Sequence, residues 1–278
     1  MTCVRDYHPN VAEITRLLVA RYGRPTLGNK ANPFNELLYV ILSSKTPPGR
    51  YGDIYRALRR EFPRADALAD ASPDEVARII EPAGLHNRKA RAIVAIAKHL
   101  RAKFGRVTLA PVARMATEQA EEFLTSLPEV SKKTARCVLM YALNRHVFPV
   151  DTHCFRIAQR LGWVPDGTYL TDRRADVIQG GIPDRLQRDL HVGMVLLGRE
   201  FCLPREPRCG NCLLLSLCPT GRWRLDTEES QKRDPAIDGE PFDVRPANKH
   251  AEGSYNKHHD QAKRGSIVPE AQKALQGL

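Results

Sequence analysis

The sequence lacks the patterns that mark strands and membrane spans. Within residues 1–221, alternation of apolar and polar residues over the length of a strand is absent, and Asp166-Gly167 is the lone Asn-Gly or Asp-Gly dipeptide. No apolar run reaches the roughly 18 residues that a membrane helix needs. The first residues contain no apolar segment of a secretory signal, and no internal repeat is evident. We therefore expect a cytoplasmic helical protein in which disulfides are disfavoured.

Acidic charge is also scarce, but only in one part of the chain. The 278 residues include 43 Lys and Arg against 32 Asp and Glu, a formal net charge of +11. Residues 222–278 contain equal numbers of acidic and basic side chains, so the whole excess lies in residues 1–221. A basic globular region fits a polyanionic partner, and nucleic acid is the usual one. A merely hydrated cationic surface is the alternative interpretation.

Helical periodicity recurs through the first 220 residues. Val11 and Leu18 belong to one apolar face, Ser72 is predicted to cap a helix that begins with Pro73, and Asn87 is predicted to cap another. About ten helices with short loops predict an all-α body. From residue 222 onward the chain is poor in aliphatic residues, so we expect a mostly disordered tail with at best a short helix at 269–275.

Four of the seven cysteines lie within one short segment. Cys202, Cys209, Cys212 and Cys218 are spaced Cys-x6-Cys-x2-Cys-x5-Cys. Four thiolates can hold zinc or a 4Fe–4S cluster, and two disulfides are a third arrangement. Zinc sites usually contain two tight pairs of cysteines, whereas here only Cys209 and Cys212 form one. The spacing therefore favours 4Fe–4S, with zinc and no metal as alternatives.

Lys133 and Asp151 are the candidate catalytic residues. Lys133 is predicted to lie in the first turn of a helix, where the helix dipole and partial burial should lower its pKa. A lysine with a lowered pKa can form a Schiff base with an aldehyde carbon. Asp151 opens the next helix, where its carboxylate could deprotonate the amine or stabilise a cationic sugar. A hydrated lysine and a simple helix cap are the structural alternatives.

The quoted residues together resemble a known family. Residues 127–135 (Leu-Pro-Glu-Val-Ser-Lys-Lys-Thr-Ala), residues 150–156 (Val-Asp-Thr-His-Cys-Phe-Arg) and the four cysteines are similar to the endonuclease III branch of the helix-hairpin-helix DNA glycosylases. Residues 42–46, residues 84–90, His191 and Gly198-Arg199 extend the resemblance over about residues 10–220. It implies two α domains with a DNA-binding cleft between them.

The resemblance also implies domain boundaries and an activity. Residues 31–145 would form a six-helix barrel that contains the hairpin, and residues 146–221 an iron–sulfur domain against which the N-terminal helix, within residues 1–30, packs. The implied function is a DNA glycosylase with abasic-site lyase activity, which flips oxidised pyrimidines out of double-stranded DNA. A nucleoid-associated monomer is expected. The alternatives are a lyase or mismatch glycosylase with little activity on standard lesions, and a non-catalytic iron–sulfur DNA-binding protein.

The resemblance assigns the DNA contacts as well. Leu85 would insert into the base stack beside His86 and Asn87, and Lys45 stands where the family usually has glutamine. Further contacts are expected from the hairpin residues Val130, Ser131 and Lys132, and from Arg205 and Arg208 in the cysteine loop. The hairpin departs from the family pattern, since Glu129 and Ser131 replace glycines. We expect these two residues to weaken the approach of a phosphate.

Overall fold

The structure is a computed structural model that describes residues 6–47 and 49–233, the last six without their side chains. These residues form twelve α-helices and four short 3-10 helices, and they contain no strand, which confirms the expected all-α fold. The α-helices are α1 (Val11–Tyr22), α2 (Pro33–Ser43), α3 (Tyr51–Glu61), α4 (Ala67–Asp70), α5 (Pro73–Ile79), α6 (His86–Phe104), α7 (Thr117–Thr125), α8 (Lys132–Tyr141), α9 (Thr152–Arg160), α10 (Asp172–Gly180), α11 (Gln187–Glu200) and α12 (Pro219–Arg233).

Several helices begin at the residues that the sequence indicates. The Ser72 side chain accepts a hydrogen bond from the Glu75 N–H at 3.1 Å and caps α5. The expected cap at Asn87 is wrong, because α6 already begins at His86 with Leu85 as its N-cap residue. Leu85 adopts a left-handed conformation with φ of 61°, so the chain enters the helix without a side-chain cap.

The helices surround two hydrophobic cores. The first core runs from Phe34 to Val147 in the chain and combines the inward faces of α2 to α8. In it, α2 packs against α8, and α6 packs against α4 and α5. Burial of these aliphatic side chains is the main force that stabilises helices of this length, because such helices are marginal when isolated.

The second core joins the N-terminal helix to the last third of the chain. It contains Val11, Ile14 and Leu18 from α1 together with residues between Phe148 and Leu214. Helix α1 packs on α11, where Gly193 allows the approach: a Cβ on this glycine would lie 2.6 Å from the Leu18 Cβ. The chain passes from one core to the other between Val147 and Phe148, just before Asp151.

A buried arginine links the two halves. Arg136 on α8 is 3% exposed and donates to Glu121 of α7 at 2.7 Å and to Asp176 of α10. Asp176 also accepts from Lys132 at 2.8 Å. Since each charge has an opposite partner, this network offsets the desolvation that would make an unpaired buried arginine costly.

The C-terminal boundary differs from the sequence-based one. Helix α12 continues to Arg233, so the expectation of disorder from residue 222 is wrong for residues 222–233. Its first turns lie against the 3-10 helices Cys209–Asn211 and Leu215–Leu217, a contact that the local composition does not reveal. Residues 234–278, including the helix expected at 269–275, lie outside the described residues. None of the helices in the described part is long and apolar enough to cross a membrane.

Candidate active site

Lys133 lies in the first turn of α8, directly after the hairpin. The helix begins at Lys132, and the Ser131 side chain caps it by accepting a hydrogen bond from the Thr134 N–H at 3.3 Å. The next turns of α8 are buried in the first core through Ala135, Val138 and Leu139. This anchoring fixes the direction of the helix start, and the Lys133 side chain itself is partly buried.

Asp151 is the N-cap residue of α9. Its Oδ1 accepts a hydrogen bond from the Cys154 N–H at 2.8 Å, and the helix that follows belongs to the second core. The carboxylate and the Lys133 amine lie close enough to shift each other's pKa. The structure therefore brings the two candidate catalytic residues together from opposite cores.

The Lys133 amine is protonated in the DNA-free protein. Its pKa is raised above the ordinary value of 10.5, first by Cys137, whose thiol ionises in the same alkaline range, and further by Asp151 and Cys154, while burial acts in the opposite direction. Burial raises the pKa of the Cys137 thiol to about 11, so at neutral pH Asp151 is the charge that faces the ammonium. The expectation of a lowered pKa is wrong, because the acidic groups around the amine outweigh its burial.

Asp151 remains a carboxylate. Burial alone would raise its pKa, but His191, the Cys154 N–H and Lys133 outweigh burial, so that the pKa lies below the ordinary value. His191 is 3% exposed, and burial lowers its pKa to about 4. The pair is therefore an ammonium beside a carboxylate, supported by a neutral imidazole.

The tips of three turns share an unusual backbone conformation, two of them at residues that were expected to contact DNA. Lys45, Leu85 and Glu129 have φ of 53°, 61° and 61°, although none is a glycine. A left-handed residue with a side chain costs about 1–2 kcal/mol, and such strain tends to occur at functional positions. Leu85 is also 58% exposed, so a large apolar side chain projects from a strained turn.

The Lys45 and Leu85 turns are fixed to each other. A Cβ on Gly84 would lie 2.1 Å from the Lys45 carbonyl oxygen, so only glycine permits this contact. Behind it, the buried Lys89 ammonium donates to the carbonyls of Leu42 at 3.1 Å and Ser44 at 2.5 Å, and to the Thr46 hydroxyl at 3.0 Å. Lys89 therefore ties the loop after α2 to the first turn of α6.

The hairpin residues differ in their availability for DNA. Val130 is buried in the first core, and its N–H donates to the Leu127 carbonyl at 3.2 Å. The Lys132 ammonium contacts Asp176 at 2.8 Å and Glu121 at 3.6 Å. The structure thus directs Val130 and Lys132 into protein contacts, whereas Ser131 is exposed with a φ of −78° that needs no glycine.

The remaining expected DNA contacts lie at the surface. Asn87, Arg205 and Arg208 are exposed, and His86 is partly exposed. Glu129, the other departure in the hairpin, is paired: its carboxylate accepts from the Arg88 Nε at 2.7 Å. The negative charge that the sequence places at the hairpin is therefore neutralised by a residue of α6.

The four cysteines of the C-terminal segment line one cavity. Cys202, Cys209, Cys212 and Cys218 surround it together with Arg160. Two N–H donors point at sulfur atoms: Arg160 Nη1 lies 3.0 Å from the Cys202 Sγ, and the Gly221 N–H lies 3.3 Å from the Cys218 Sγ. Such donors suit thiolates that ligate a cluster, so the residues fit an iron–sulfur group. Within the described residues, no three or more His, Cys, Asp or Glu side chains converge on a point where they would hold a single metal ion.

Helix α9 connects this cavity with Asp151 of the candidate catalytic pair. Asp151 caps its N-terminus, and Arg156 donates from Nε to the Cys202 carbonyl at 2.9 Å. One turn later, Arg160 donates to the carbonyls of Leu203 at 2.8 Å and Pro204 at 3.0 Å. The shape of the cysteine loop and the position of the Asp151 carboxylate therefore depend on one rigid element.

Comparison with known proteins gives the family. The model of the HhH-GPD superfamily of base excision DNA repair proteins matches residues 38–176. Endonuclease III of Thermotoga maritima is 30% identical over 214 residues, which span 77% of this chain and 94% of that protein. The chain belongs to the HhH-GPD superfamily. Thymine-DNA glycosylase of Aeropyrum pernix is 29% identical over 199 residues, which span 68% of this chain and 83% of that one.

Solved structures of the HhH-GPD type share the fold. The chain matches a non-covalent endonuclease III–DNA complex with a TM-score of 0.68 at 23% identity, covering 78% of this chain and 97% of that one. A thermostable thymine-DNA glycosylase matches with a TM-score of 0.65 at 21% identity, over 77% and 95% of the two chains. The predictions of an endonuclease III-like fold and of a DNA glycosylase and lyase of base excision repair are confirmed.

Sequence reasoning missed several residues of this HhH-GPD site. Cys137 is the largest influence on the Lys133 pKa, and it lies four residues after Lys133 on α8, so the two side chains share one face of the helix. Glu36 is fully buried and accepts from the Lys30 N–H at 2.6 Å. Burial raises the pKa of Glu36, and the Lys133 charge is among those that act in the opposite direction. Only the packing of α2 on α8 brings Glu36 near the amine, so no local signal points to it. Arg88 and Lys89 lie inside a recognised motif, but spacing alone does not reveal their partners.

Proposed function

We propose that this glycosylase flips a damaged base, an oxidised pyrimidine as the first candidate, out of double-stranded DNA and removes it with Lys133 and Asp151. After its proton passes to water, the neutral amine would attack C1′ of the extruded nucleoside, the glycosidic bond would break with the base as the leaving group, and the carboxylate would stabilise the positive charge that develops on the sugar. Elimination from the resulting Schiff base would then cleave the strand. The observation that carries the proposal is that Lys133, on a helix of the first core, and Asp151, on a helix of the second core, lie close enough for each to shift the other's pKa.

The strained turns support the extrusion step. A base must leave the stack before its C1′ can be attacked, which costs a few kcal/mol. Leu85 is exposed on a turn that Gly84 and Lys89 hold against the Lys45 turn. An apolar side chain on a fixed support can occupy the space that the base leaves. Lys45 would then face the opposite base or a phosphate, with His86, Asn87 and Ser131 nearby.

The cysteine cavity is proposed to hold a 4Fe–4S cluster through Cys202, Cys209, Cys212 and Cys218. When bound, the cluster would serve as a covalent cross-link of the loop and not as a reactant. Arg205 and Arg208, both exposed, would contact the DNA backbone from this loop. The proposal further includes a barrel domain at 31–145 and a cluster domain at 146–221 with the N-terminal helix, in accordance with the two cores. We propose a monomer that acts on the nucleoid in the cytoplasm.

Borohydride trapping on a duplex with one abasic site tests the catalytic assignment. The wild type should form a covalent adduct, and Lys133→Ala should form none. Lys98→Ala, which removes an exposed lysine of α6, is the matched control and should trap normally. An adduct that survives Lys133→Ala would exclude Lys133 as the nucleophile, and the absence of any adduct would favour a non-catalytic DNA-binding protein. A panel of lesion duplexes then defines the base that is removed.

A further inference from the structure

Glu129 and Arg88 form an ion pair at the tip of the hairpin. Both the Nε and the Nη2 of Arg88 approach the Oε2 of Glu129, at 2.7 and 2.6 Å. The two side chains come from segments far apart in the chain, and both are largely accessible, with 62% of Arg88 and 41% of Glu129 exposed. The pair therefore joins the hairpin tip to the first turn of α6 at the surface.

Glu129 makes the hairpin dependent on this partner. The residue holds a left-handed φ of 61° in a turn where an acidic side chain would repel a phosphate. The ion pair removes that repulsion, since the guanidinium cancels the carboxylate charge at short range. It leaves three of the five guanidinium N–H donors of Arg88 available.

The other polar groups of the hairpin are directed elsewhere. Lys132 contacts Asp176 and Glu121, Lys133 belongs to the catalytic pair, and the Val130 N–H is bonded to the Leu127 carbonyl. Arg88, by contrast, keeps free donors on a largely exposed side chain at the hairpin tip. It also lies one helical turn after Leu85, on the side of the molecule where the base would be extruded.

We propose that Arg88, oriented by Glu129, is a phosphodiester-binding residue of the hairpin. The guanidinium supplies the phosphate contact that glycine backbones would otherwise make, and the Glu129 carboxylate acts as the positioning residue that fixes the planar group. Arginine suits this role because its fork can engage a carboxylate on one edge and a phosphate on another. The inference rests on the proposed function, because it takes DNA as the ligand.

Equilibrium binding at several salt concentrations tests the site. The ligand is a fluorescent duplex with a tetrahydrofuran abasic analogue, which the enzyme cannot cleave, so binding is measured apart from catalysis. Arg88→Gln should weaken binding about tenfold and reduce the slope of log affinity against log salt by about 0.9, the value for one lost phosphate contact. Arg88→Lys should restore the slope but not the full affinity, because an ammonium keeps the charge and loses the fork.

Arg101→Gln is the matched control. Arg101 lies on the same helix about 20 Å away along its axis and pairs with Asp70 at 2.7 Å, so the variant loses the same charge and the same type of ion pair. It should change the affinity less than twofold and leave the slope unaltered. Equal slopes for Arg88→Gln and Arg101→Gln would overturn the proposal.

A double variant separates positioning from simple neutralisation. If Arg88 only cancels Glu129, then Arg88→Gln/Glu129→Gln should bind with wild-type affinity and slope. If Arg88 contacts a phosphate, the double variant should keep the reduced slope, and its affinity should recover only in part. A wild type that traps on abasic DNA while Arg88→Gln binds normally would refute this site alone. A reduced slope without any trapping would leave the phosphate site in place and refute the proposed catalysis.

Discussion

The charge state of Lys133 leads to a prediction about how the enzyme is activated. Because Cys137, Asp151 and Cys154 together raise its pKa above the ordinary lysine value, the amine is protonated at neutral pH. The Asp151 pKa is lowered despite burial, by His191, the Cys154 N–H and Lys133, so both shifts oppose a direct proton transfer from the ammonium to the carboxylate in the DNA-free protein. Asp151 is therefore a poor base for Lys133, and its contribution should be electrostatic.

Asp151→Asn tests this division of roles. Asparagine is an equally good N-cap, so the hydrogen bond to the Cys154 N–H and the start of α9 should survive. Loss of the carboxylate should slow base removal about 100-fold, the usual scale for one charge-stabilising group. It should also lower the Lys133 pKa, so that adduct formation on a preformed abasic site is as fast as in the wild type or faster.

Single-turnover trapping from pH 6.5 to pH 9 provides the measurement. With enzyme in excess, the wild-type rate should rise about tenfold per pH unit, because the neutral fraction of an amine far below its pKa does so. Asp189→Asn, a carboxylate-to-amide change at the surface pair with Arg24, is the control and should follow the wild type. A flat wild-type profile, or an equal loss of trapping and base removal in Asp151→Asn, would refute the electrostatic assignment.

Three other perturbations have defined outcomes. Burial lowers the pKa of His191 to about 4, so the unfolded state binds more protons than the folded state between about pH 4 and 6.5, and the protein loses stability as the pH falls through this range. The free energy of unfolding in urea should decrease by about 2 kcal/mol from pH 7 to pH 5. His191→Gln should abolish this decrease, whereas His99→Gln, at an exposed histidine, should not. Lys89→Met should destabilise the protein by about 1–3 kcal/mol, because the Leu42 and Ser44 carbonyls and the Thr46 hydroxyl each lose the hydrogen bond from its ammonium. Unchanged stability together with normal base extrusion would show that the Lys45 turn needs no anchor. Cys212→Ser should yield protein without bound iron and without the brown colour of an iron–sulfur cluster. An iron content equal to that of the wild type would exclude Cys212 as a ligand.

The sequence predicted best what depends on local patterns. Ser72 and Pro73 start a helix because a hydroxyl acceptor followed by a fixed φ favours that geometry wherever it occurs. The placement of Lys133 in a first turn and of Asp151 at an N-cap is correct for the same reason. Helix α6 begins two residues earlier than expected because left-handed Leu85 replaces the expected cap at Asn87, and residue-type preference alone disfavours that conformation for leucine.

The charge state of the site was not predictable, because it arises from contacts distant in the chain. The sequence places Lys133 at a positive helix end, which alone would lower its pKa. Cys137 on the next turn of α8 raises the pKa, the fold adds Asp151 and Cys154 from α9, and together they reverse the sign of the shift. Arg136 is similar: its position on α8 suggests an exposed side chain, whereas Glu121 and Asp176 enclose it.

The departures in the hairpin become intelligible only in three dimensions. In the sequence alone, Glu129 stands in the hairpin where the family usually has a glycine, and it adds both backbone strain and a negative charge at the expected phosphate site. In the fold, Arg88 forms an ion pair with the Glu129 carboxylate. Lys89 in the first turn of α6, and Gly84 just before this helix, contact the neighbouring Lys45 turn. The first turn of α6 thus supports all three left-handed tips. A substitution in the first turn of α6 should affect the Lys45, Leu85 and Glu129 turns together, whereas a substitution in one of these turns should leave the other two in place.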